Sequence, residues 1–64
     1  MDVEIVRKHW QLIELAAKHD YIPNGQNGAI VELKNNYNGT VDLWCGFCVV
    51  NMCKRIYNEY KDKV

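Results

Sequence analysis

Three amphipathic runs, separated by two polar breaks, carry the apolar residues of this chain. Over residues 2–19, Val6, Trp10, Ile13 and Ala17 recur at steps of three or four, and Leu12, Leu15 and Ala16 widen the stripe. That repeat predicts a helix with one buried face. Arg7, Lys8, Gln11, Glu14 and Lys18 occupy the opposite side, with Glu14 one turn before Lys18. Asp2 and Glu4 at the start and Lys18 and His19 at the end suit the helix dipole. Tyr21 to Gly28 then forms the strongest break, because proline forces Ile22 extended and Pro23-Asn24-Gly25 has the residue types of a tight turn.

The second run is the ambiguous one. As a helix over 28–37 it would be capped by Asn27, turn Ile30, Leu33 and Tyr37 inward, and stop at Gly39 in a left-handed conformation. As a strand, 29–34 would pair with 40–44 across an Asn38-Gly39 hairpin turn. Asn35 and Asn36 suit a strand poorly, and Glu32, Leu33 and Lys34 favour the helix. The third run predicts a helix over 42–62, capped by Asp42, with an apolar surface broad enough to be covered on two sides. The expected fold is therefore all-α, a single three-helix domain over 1–64. Its expected core is Val6, Trp10, Ile13, Leu33, Phe47, Val50 and Ile56. The alternative is an α+β domain with a short hairpin between two helices.

Length tightens this picture. A chain of 64 residues builds a core that rarely supplies more than about 3–5 kcal/mol, so a metal, disulfides or a partner usually contributes. Eight basic residues balance eight acidic ones, which gives no global field toward nucleic acid or an anionic membrane. No apolar run approaches the length of a membrane span, and the first residues lack the features of a signal peptide. Reduced thiols in a cytoplasm or a virion are the matching expectation. Residues 28–62 could be read as a helix-turn-helix, yet its recognition helix would begin Asp42-Leu43-Trp44-Cys45-Gly46-Phe47, which offers nothing to phosphates or base edges. Nucleic acid is accordingly not an expected partner.

The three cysteines all lie in the last run. An odd count cannot close into a complete disulfide framework. The leading expectation is that they pack as small apolar groups, with Cys48 buried and Cys45 partly covered by Trp44. Cys45-x-x-Cys48 also has the spacing of a zinc knuckle, although Cys53 points away and His9 or His19 would have to complete the site. Both histidines are read as surface residues rather than ligands. The stretch Trp44-Cys45-Gly46-Phe47-Cys48 resembles the thioredoxin active-site motif, with phenylalanine where that family usually has proline. The resemblance implies a nucleophilic Cys45 at a helix start and a resolving Cys48. It covers five residues and lacks the strands and cis-proline of that fold.

A short helix, a loop, and Cys-x-x-Cys opening a final amphipathic helix that ends in basic residues and tyrosines resembles small helical proteins of tailed phages of gut bacteria. That resemblance, over about the last 35 residues, implies an accessory virion component, such as a capsid decoration protein, and transfers no catalytic residues. The expected function is thus non-enzymatic, without cofactor, through binding to other protein chains or to itself. Tyr37, Tyr57 and Tyr60 are the candidate contact residues, since tyrosine tolerates both burial and water.

Overall fold

A computed structural model describes residues 1–64. It contains four helices, α1 (Val3–Lys8), α2 (Trp10–His19), α3 (Asn27–Asn36) and α4 (Gly46–Tyr60), and no strand. The all-α expectation holds. The hairpin alternative does not, because Ala29 to Asn36 is helical throughout and nothing pairs with 40–44.

The first helix is broken where a continuous one was expected. His9 takes φ −109° and ψ 21°, and its N–H is shared between Arg7 and Ile5 carbonyls, ending α1. Its side chain reaches α3, where Nε2 lies 2.5 Å from Glu32 Oε1, and Lys8 Nζ meets the same oxygen at 3.2 Å. A tertiary tie at the break is a cause that periodicity does not encode. Asp2 caps α1 through its carboxylate, which accepts the Glu4 N–H at 2.9 Å. α2 ends at Asp20, which adopts the left-handed φ 53° and places Oδ1 2.5 Å from Lys54 Nζ on α4. The following turn needs Gly25, whose φ of 84° is the value a type II turn demands of its third residue.

α2 and α4 pack most extensively, and α1 touches all three other helices. The core joins Val6, Leu12, Ile13, Ala16, Ile30, Leu33, Met52, Cys53 and Ile56. Val6, Ile13, Leu33 and Ile56 are where the sequence put them. Trp10 is half-buried at the core's edge, and Val50 is buried outside the connected cluster. Phe47 is the clear exception, with 73% of its surface exposed.

Two helix ends also differ from expectation. α3 begins at Asn27 without a side-chain cap, and it stops at Tyr37 in an extended conformation rather than at a left-handed Gly39. α4 begins at Gly46, four residues after Asp42. Asp42 closes a turn instead: its carboxylate accepts the Trp44 N–H at 2.9 Å and its carbonyl accepts the Cys45 N–H at 3.1 Å. An Asx turn competes with helix initiation in just this way, since it satisfies the same backbone donors.

Candidate functional site

The start of α4 gathers what the rest of the fold does not use. The buried stripe of this helix runs through Val49, Met52, Cys53, Ile56 and Tyr60. At 100° per residue, Phe47 lies about 120° around from Cys53, so it faces away from the core. Leu43 and Trp44 sit in the Asp42 turn, outside the helix, and Trp44 is 96% exposed. Phe47 also lines a groove of about 520 Å³ together with Tyr21, Ile22 and Val50, bordered by the Asp20–Lys54 ion pair. The result is a continuous apolar surface with a neutral polar rim. Exposed patches of this kind mark interaction sites in small soluble domains.

Beside that surface lie two of the three thiols. Cys45 is the N-cap of α4, and its Sγ accepts the Cys48 N–H at 3.1 Å. Both cysteines are half-buried rather than enclosed, and Trp44 projects outward instead of covering Cys45. The Cys48 thiol is raised above its ordinary value, first by its hydrogen bond to Cys45, then by partial burial. The two sulfur atoms are therefore neighbours. Cys53 behaves as the packing expectation requires: it is fully buried in the core, which pushes its thiol up to about 11.

No group of three or more His, Cys, Asp or Glu side chains converges on a single point in the chain. Of the two histidines expected at the surface, His19 is exposed, whereas His9 is half-buried and bound to Glu32. That contact, with the Lys8 hydrogen bond, holds the Glu32 carboxyl below its usual range, so it is the acceptor and His9 Nε2–H the donor. Neither histidine joins Cys45 and Cys48.

The tyrosine candidates are placed against the core. Tyr57 is half-buried and stacks on Trp10, with ring centroids 5.2 Å apart and planes inclined by 15°. Tyr60 is buried and donates its hydroxyl to the Met1 carbonyl at 3.0 Å. Tyr37 is half-buried beside Gly39. The exposed aromatic surface belongs instead to Trp44, Phe47 and Tyr21. Its signal was present in the sequence: Asp42-Leu43-Trp44 has an Asx-turn start, which delays the helix and strands the residues that follow.

The chain matches no protein family, no curated protein and no solved structure. No helix is long and apolar enough to cross a membrane.

Proposed function

We propose that this is a non-enzymatic protein that binds another protein chain through the Trp44–Phe47 face, as an accessory component of a larger assembly. The observation that carries the reading is the exposure of Trp44 beside Phe47 and the Tyr21–Val50 groove. Large aromatics anchored on a rigid helix start are the residues that dominate protein interfaces, because they bury much area at little conformational cost. Arg7, Lys8, Lys18 and Lys54 each pair with a carboxylate, which leaves less free positive charge for phosphates and favours a protein partner over nucleic acid. The phage-like arrangement of the last 35 residues makes a virion the most specific setting.

The test is sedimentation of particles from the native source with wild type and with Trp44→Ala/Phe47→Ala. The variant should fold and melt as wild type does, since both side chains are exposed, yet fail to co-sediment. A wild-type protein that stays free of every particle would refute the assembly role. A second reading, thiol chemistry at Cys45 and Cys48, is favoured by one observation: the two sulfurs are neighbours at a helix start.

A further inference from the structure

We infer that Cys45 and Cys48 of two copies of this chain jointly hold one zinc ion at the centre of a two-fold interface made by the Trp44–Phe47 face. This rests on that face being an interface, and it names the partner as a second copy.

One chain supplies half of a site. Cys45-x-x-Cys48 has the knuckle spacing, and the sulfurs are already within hydrogen-bond reach of each other. A closed structural zinc site takes four ligands in a tetrahedron, and thiolates are preferred ones. Nothing else in the chain can complete it: no third side chain of the right type converges there, Cys53 is sealed in the core, and His9 is held by Glu32. The missing pair must come from outside the chain.

A second copy supplies that pair with matching geometry. In a two-fold interface the same patch lies on both sides of the axis. The patch next to the thiols is the exposed apolar one, so covering Trp44 and Phe47 brings the two cysteine pairs toward each other. With equal numbers of acidic and basic residues, neither copy repels the other over distance. Zinc replaces four thiol protons with no change of oxidation state, and the four thiolates leave a formal charge of minus two. Two α4 N-termini face that charge with their positive ends, and the Cys48 N–H already directed at the Cys45 sulfur supports a bound thiolate.

The experiment titrates reduced, metal-free full-length chain with Zn²⁺ and reads mass by light scattering and native mass spectrometry, with Co²⁺ as the spectroscopic probe. The expected result is a dimer with one zinc per two chains, and a cobalt spectrum of tetrahedral thiolate ligation. Cys45→Ser keeps the helix start, because serine is a better N-cap than cysteine. It should retain wild-type circular dichroism and melting in the absence of metal while losing both zinc and dimer. Phe47→Ala should weaken the zinc dimer at least tenfold with the fold intact. A monomer binding one zinc per chain, or no zinc bound at micromolar concentration, overturns the inference. A dimer indifferent to zinc and to Cys45→Ser also overturns it while leaving the interface in place. Conversely, a zinc dimer from a chain that never sediments with particles keeps the inference and refutes the assembly role.

Discussion

The ring of Trp10 lies flat on that of Tyr57, 5.2 Å between centroids and 15° from parallel, and so ties α2 to α4 at the edge of the core. Offset stacking of this kind contributes about 0.5–1.5 kcal/mol beyond the area buried. Trp10→Ala should destabilise the domain by about 2–3 kcal/mol, below the cost of a fully buried tryptophan because Trp10 is half-exposed. Tyr57→Phe should stay within about 0.5 kcal/mol of wild type, since the ring is kept. In a double-mutant cycle with alanine at both positions, chemical denaturation should return a favourable coupling of about 0.5–1.5 kcal/mol. Strict additivity would mean that the rings contribute only their separate burial.

The thiols should separate by reactivity. Cys53 is buried with its thiol pushed up to about 11, so it presents almost no thiolate at neutral pH. Brief alkylation of the native, metal-free chain, mapped by mass spectrometry, should label Cys45 and Cys48 and leave Cys53 untouched until denaturant is added. Cys53→Ser should cost about 1–3 kcal/mol by burying a hydroxyl, and Cys53→Ala less.

Glu32 should make stability pH-dependent at the acid end. Hydrogen bonds from His9 and then Lys8 lower its carboxyl below the ordinary 4.5. A folded value below the unfolded one means the contribution is complete above about 4.5 and is lost as pH falls through the lower folded value. Wild type should therefore lose more stability between pH 7 and pH 3 than Glu32→Gln does, as read from urea unfolding at each pH. Equal losses in the two proteins would show that the contact with α3 does not depend on the charge.

Asp20 holds a left-handed conformation while pairing with Lys54, two features that oppose each other on substitution. Asp20→Ala loses the exposed ion pair and keeps the backbone strain, an expected cost of about 1–2 kcal/mol. Asp20→Gly loses the same pair and relieves the strain, so it should lie within about 0.5 kcal/mol of wild type. Urea midpoints of the two variants decide this. An alanine variant as stable as the glycine one would mean that the backbone conformation is not strained.

How much of this protein was present in its sequence differs from element to element. The three runs of helical periodicity were sufficient for an all-α fold, and Val6, Ile13, Leu33 and Ile56 were assigned to the core correctly, because burying a stripe is a local property of spacing. The polar asparagines before Gly39 excluded the hairpin for an equally local reason. The last helix was different, since its apolar residues cover more than half of its circumference. Periodicity gave two acceptable inward faces, one centred on Phe47, Val50 and Tyr57 and the other on Val49, Cys53 and Ile56. Docking against α2 selected the second. The Asp42 turn delayed the helix start to Gly46, and Phe47 and Trp44 were left in solvent. The break at His9 is of the same origin, a contact with Glu32 that lies 23 residues away in the chain. Spacing along a sequence specifies how much apolar surface an element carries. Which part of a surplus is buried, and which is left over for a partner, depends on the shape of the neighbouring elements, and that exists only once the chain has folded.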